Sequence, residues 1–153
     1  MANLPPLETT LERHQKGDVL ELDEVWSFVK RRKNKRWIWL ALCRRTRQIV
    51  AFVIGCRGKP TCQKLWEAIP DSYKTAHCFA DVWEAYAQVI EAEQLTQNES
   101  KANTNHIERF NRTLRGRCGR LVRETASFSK CHHMHLAALT LFIHSYNQSK
   151  VPN

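Results

Sequence analysis

Residues 18–55 hold three runs of strand-forming side chains, and the links between them are too short to contain a helix. The first run, DVLELDEVWSFV at 18–29, is rich in β-branched and aromatic residues. The second, WIWLALC at 37–43, is apolar on both faces, as a central strand covered on both sides is. The third, IVAFVIG at 49–55, ends on Gly55. The links KRRKNKR at 30–36 and RRTRQ at 44–48 are polar and basic. Strands joined this closely return alongside one another, which predicts an antiparallel meander.

The remainder alternates. Pro60 opens and Pro70 stops a helix predicted over 61–69. AHCFA at 76–80 reads as a fourth strand ending at Asp81. A helix over 83–92 places Trp83, Ala87 and Ile90 on one face, and a short fifth strand is expected near 95–99. Ile107, Phe110 and Leu114 predict a helix over 105–115, and a last apolar helix covers 133–146. Gly116 and Gly119 predict that the chain bends after the third helix. Three antiparallel strands followed by crossover strands make a mixed five-stranded sheet with helices on both faces, an α/β fold of RNase H-like type. With no internal repeat or linker, residues 17–153 are read as one domain and residues 1–16 as an N-terminal extension.

Composition narrows the function. A chain of 153 residues, 42% hydrophobic, can bury a core and is not a disordered tail. Lys and Arg number 24 against 15 Asp and Glu, a net charge of +9, which favours a polyanionic partner, nucleic acid above all. The first residues lack the apolar core of a secretory signal, and no apolar run is long enough to span a bilayer, so a cytoplasmic chain without membrane contact is expected. The six cysteines form no C-x-x-C pair, which argues against a zinc ribbon and for free thiols. Cys131, His132, His133 and His135 are read as the polar start of a helix.

Three carboxylates stand out by position. Asp23 lies within the first strand, Asp81 directly follows the fourth, and Glu108 lies in the first turn or so of the helix from Asn105. In the proposed fold the first and fourth strands are neighbours and the later helix crosses the same end of the sheet, so the three side chains can converge. Magnesium or manganese is held by such carboxylates while it keeps water and phosphate oxygens as other ligands. Two ions about 3.5–4 Å apart can clamp the attacking and leaving oxygens of a displacement at phosphorus. Each acid also has a plainer role. Alternation puts Asp23 with Glu21 and Val25 on one face of the strand, and Glu24 with Leu22 and Trp26 on the other. Asp81 suits a cap for the next helix, and Glu108 suits an i+4 pair with Arg112. Asn105, Glu108, Arg112 and Arg115 fall three, four and three apart, a polar stripe along one helical face that suits metal and phosphate. Further arginines, Arg109, Arg117, Arg120 and Arg123, and the basic links at 30–36 and 44–47 are candidates for backbone phosphate.

The blocks LELDEVWSFV, FADVWEAY, TNHIERFNRTLRGR and RLVRETASFSK resemble the catalytic region of transposases of the "insertion sequence one" family, over about residues 17–147. The resemblance implies the DDE transposase and integrase group, with Asp23, Asp81 and Glu108 as its metal-binding triad and Arg115, seven positions after the Glu, as a contact to DNA near the cut. It implies strand cleavage and strand transfer at transposon ends and target DNA, a homo-oligomer that pairs two ends, and an upstream zinc-binding and helix-turn-helix segment supplied by a fusion product. Val82 stands after the second Asp where the family pattern has a more polar residue. Two other functions suit the same features: an RNase H-like hydrolytic nuclease that cuts without joining, and a non-catalytic DNA-binding or regulatory fragment.

Overall fold

The computed structural model describes residues 3–118 and 130–153. Strands β1 (Val19–Phe28), β2 (Lys35–Cys43) and β3 (Ile49–Gly55) form the antiparallel meander that their short links require. Helix α1 (Lys59–Ala68) carries the chain across the sheet to the free edge of β1, where β4 (His77–Ala80) pairs in parallel. A short helix α2 (Glu84–Ala87) leads to β5 (Leu95–Gln97), which is parallel to β4. Helices α3 (Asn105–Arg117) and α4 (His132–Ser149) follow. The sheet order is β3-β2-β1-β4-β5, the mixed, RNase H-like arrangement that the element order predicts.

Strand β2 shows why the sheet is covered on both sides. Trp39, Ala41 and Cys43 pack with Leu65 of α1 and with Tyr86 and Ile90, while Ile38, Leu40 and Leu42 pack with Ile107, Phe110 and Leu114 of α3 and Leu139 and Ile143 of α4. The odd and even residues of one strand thus feed two separate cores. Gly55 at the end of β3 allows α1 close approach, since a Cβ there would lie 2.5 Å from Thr61 Oγ1.

The ends of the chain are tied together through polar groups. Asn147 of α4 accepts a hydrogen bond from Ile49 N–H at 2.8 Å and donates to Thr10 Oγ1 and Ile49 carbonyl oxygen, both at 2.9 Å. Gln48 donates to the carbonyl oxygens of Thr10 and Asn147 and accepts from Glu12 N–H. Both amides are fully buried and fully used, so the turn over Leu7–Thr10 is packed against β3 and α4.

Two expectations change and a third holds. The helix predicted over 83–92 is reduced to α2, because the β-branched Val89 and Ile90 turn out of it and Ile90 is buried in the core before β5. Helix α3 runs through Gly116 to Arg117 without the predicted bend at Gly116, whose surroundings are open; Gly119 lies outside the described residues. The run from Cys131 to His135 is the start of α4, as expected, with His135 fully buried. Among the described residues no helix is long and apolar enough to cross a membrane.

Candidate active site

Parallel pairing sets two of the acids side by side. β1 and β4 are aligned with Glu21 opposite Phe79, and continuing that register by two residues brings Asp81, just past the end of β4, level with Asp23. Helix α3 lies over the same end of β1, with Glu108 in its first turn. Asp23, Asp81 and Glu108 thereby line one cleft of about 730 Å³, with Glu24, Lys101, Asn111, Arg112 and Arg115 also in its wall.

What holds α3 there is an acid whose role the sequence left undecided. Glu21 is fully buried on the α3 side of β1. Its Oε1 accepts from the N–H groups of His106 and Ile107 at 3.0 and 3.4 Å, and its Oε2 lies 2.8 Å from His106 Nδ1. A helix N-terminus has free N–H groups and a partial positive charge. Thr104 makes no side-chain cap, so the carboxylate of a distant strand serves. Arg44 completes the group, bonding Glu21 Oε2 at 3.2 Å and Asn103 carbonyl oxygen at 2.9 Å.

Glu24 faces the opposite core. It accepts from Tyr86 Oη at 2.6 Å and from Arg57 at 3.1 Å, and the Arg57 guanidinium is held between the rings of Trp37 and Trp83. Asp23 is the acid on β1 with no cation bonded to it among the described residues. Its carboxylate accepts from Glu24 N–H at 2.9 Å and from Asn111 Nδ2 at 2.7 Å. Burial pushes the Asp23 carboxyl up to about 7, and the nearby charges of Glu24, Asp81 and Glu108 act in the same direction.

The other two acids keep their plainer bonds as well. Asp81 Oδ1 accepts from Trp83 N–H at 3.2 Å, the capping turn expected of it, and Gln97 pins that turn by donating to the carbonyl oxygens of Asp81 and Trp83. Val82 is 58% exposed on the cleft wall, so the departure there from the family pattern puts an apolar side chain at the rim and leaves Asp81 in place. Glu108 pairs with Lys101 at 3.3 Å rather than with Arg112. The three acids share the cleft without closing into a cage: no group of three His, Cys, Asp or Glu side chains among the described residues is gathered tightly enough to hold an ion. The donor chemistry nevertheless fits a hard divalent cation, because carboxylate oxygens from three elements face one cleft, and the charges of Asp81 and Glu108 add to the raised proton affinity of Asp23.

The predicted arginines divide into two groups. Arg112 and Arg115 line the acidic cleft, whereas Arg109 and Arg117 face a second groove of about 210 Å³ on the other flank of α3, with Arg47 and Lys150. At 3.6 residues per turn, His106, Arg109, Thr113 and Arg117 fall on one side of the buried stripe, and Glu108, Asn111, Arg112 and Arg115 on the other. Asn105 does not join the cleft; it is exposed at the first turn, and Asn111 takes the polar place beside the acids. Arg120 and Arg123 lie outside the described residues. In the second basic link, Arg44 and Arg45 are committed to the buried acids Glu21 and Asp18 and so are structural before they are phosphate ligands.

This chain is similar to known proteins along nearly all of its length. The family model described as IS1 transposase matches residues 19–148. The insertion element iso-IS1n protein InsB of Shigella dysenteriae is 33% identical over 129 residues, 84% of this chain and 95% of that protein. The insertion element IS1 protein InsB of Shigella flexneri is 32% identical over 115 residues, 75% and 86% of the two chains. The insertion element IS1 4 protein InsB of Escherichia coli (strain K12) is 30% identical over 135 residues, 86% and 79%. The matched span runs from the first strand to the end of the last helix and contains every element that lines the cleft, and on that match the chain belongs to the IS1 transposase family.

Proposed function

We propose that this chain is the catalytic domain of a DDE transposase, which cuts DNA at the ends of an insertion element and joins the freed 3′ hydroxyl to target DNA. The observation that carries the reading is the single cleft lined by Asp23, Asp81 and Glu108 with Arg112 and Arg115 beside them. Asp23, Asp81 and Glu108 are the residues to hold magnesium or manganese, two ions on the chemistry of in-line displacement. Bound there, the ions would neutralise charge on the phosphate and on the attacking and leaving oxygens.

The chain's own part is positioning, which with electrostatics supplies most of the catalysis in phosphoryl transfer. Asp81 is held by Trp83 N–H, Asp23 by Glu24 N–H and Asn111, and Glu108 by a helix anchored on Glu21. Arg112 and Arg115 are exposed beside the acids and suited to grip the phosphates that flank the cut. Lys101, whose side chain is 79% exposed, can leave Glu108 when DNA and cations enter. On the other flank of α3, Arg109 and Arg117 with Arg47 and Lys150 offer a second surface for DNA backbone. Pairing of two ends calls for a homo-oligomer, and recognition of their sequence calls for an upstream DNA-binding segment.

Strand transfer tests the proposal. The chain, joined to its element's upstream DNA-binding segment, is given a pre-cut duplex with a free 3′ hydroxyl in magnesium or manganese. Joining should be lost in Asp23→Ala, Asp81→Ala and Glu108→Ala while DNA binding persists. Cutting without joining would mean a hydrolytic nuclease. Binding with no metal-dependent chemistry would mean a regulatory fragment.

A further inference from the structure

Asn111 is only 5% exposed, lies on α3 one turn after Glu108, and reaches the cleft wall. Its Nδ2 donates to Asp23 Oδ2 at 2.7 Å. Holding a cation requires the Asp23 carboxylate in its ionised form, which only accepts, so in that state the amide atom facing it is the nitrogen. The planar amide then directs Oδ1 away from Asp23, and Oδ1 is buried with no hydrogen-bond partner. A buried carbonyl oxygen left without a donor is unfavourable, because the hydrogen bonds it made to water are not replaced. The cations of the same cleft do not supply one, since Lys101 is bonded to Glu108 and neither Arg112 nor Arg115 reaches the amide. An acceptor left without a donor beside Asp23, the acid on β1 with no cation bonded to it among the described residues, is suited to a donor that arrives with the ligand.

Resting on the metal reading of the cleft, we infer that Asn111 is a positioning residue for the divalent cation. Its Nδ2 holds the Asp23 carboxylate in a fixed orientation, and its Oδ1, closed to solvent in the cation-free cleft, shifts to accept a hydrogen bond from a water of the hydration shell that the cation retains. Magnesium and manganese keep several waters when bound by few carboxylates, so an outer acceptor orients the ion without replacing a ligand. Second contacts of this kind are worth roughly 10–100-fold in metal affinity. They also explain why an amide, and not a third carboxylate, stands here: it supports Asp23 without adding to the repulsion of the acidic cluster.

The test is manganese binding to the full chain without DNA, followed by titration calorimetry, alongside thermal unfolding. Asn111→Ala should weaken Mn2+ binding roughly tenfold or more. Asn111→Asp keeps an acceptor oxygen and should bind Mn2+ as tightly as the parent or tighter, although the cation-free protein melts lower. A role in helix packing alone predicts a lower melting temperature in both variants and unchanged affinity. If Asn111→Ala does not fold, Asn111→Leu, which matches the shape and removes both polar atoms, should show the same loss. Affinity within about twofold of the parent in the Ala or Leu variant, with Asp23→Asn strongly weakened, overturns the inference and leaves the metal site standing. Unchanged affinity in Asp23→Asn as well would overturn the metal reading itself.

Discussion

Glu21, Asp23 and Glu24 lie within four residues of one strand and meet different fates because of what lies opposite each. Glu21 caps α3 and Glu24 binds Arg57 and Tyr86, so both buried charges are compensated. Removing one partner of a buried charge group commonly costs about 3–5 kcal/mol, and Glu21→Ala should lose at least about 3 kcal/mol in urea unfolding. Asp23 behaves oppositely. Burial and like charges raise its folded pKa from 3.8 to about 7, so the folded state favours the proton. Its unfavourable contribution is absent below about pH 4, grows as pH rises, and is complete above pH 7. Asp23→Asn should therefore be more stable than the parent at pH 8 by roughly 1–3 kcal/mol without divalent cations, and the gain should vanish near pH 4. The difference between the two proteins is the proper readout, because burial lowers His135 to about 4 and so favours the fold as pH rises over nearly the same range.

At the scale of elements, α3 does three things with three stripes. Ile107, Phe110 and Leu114 bury it, Glu108, Asn111, Arg112 and Arg115 face the acids, and Arg109 and Arg117 face the second groove. If both flanks touch DNA, removing either arginine pair should weaken binding and lower the slope of log K against log salt by about 1 for each phosphate no longer neutralised. Only loss of Arg112 and Arg115 should also reduce joining on a pre-cut end beyond the loss of binding. A slope unchanged by Arg109→Ala with Arg117→Ala would remove the second groove from the DNA path. The end of α4 has a structural duty instead. Asn147→Ala leaves Thr10 and Ile49 without their buried partners and should cost about 2–3 kcal/mol, measured by urea unfolding.

At the scale of the molecule, the acids come from β1, the end of β4 and α3, so the cleft exists only when the sheet order is complete. Binding of an ion to the folded state alone raises apparent stability by mass action. Millimolar Mn2+ should accordingly raise the melting temperature of the parent by roughly 2–5 °C and leave a chain with Asp23→Asn, Asp81→Asn and Glu108→Gln unmoved. A net charge of +9 should make DNA binding strongly salt-dependent in both.

Local pattern alone determined the meander, the doubly buried β2, the crossover order and the positions of Asp23, Asp81 and Glu108 in their elements, because strand alternation, helix period and link length are properties of neighbours in the chain. It also determined the basic charge, which depends on composition alone. Tertiary structure decided which face each acid of β1 presents, since alternation separates Glu21 and Asp23 from Glu24 but cannot say which core holds Arg57 and which holds a helix N-terminus. It decided that Arg44 and Arg45 serve buried acids, that Arg109 and Arg117 leave the acidic cleft, and that Asn111 rather than Asn105 meets Asp23. Those outcomes depend on partners up to 88 residues away, and no spacing along the chain records a hydrogen bond made across that separation.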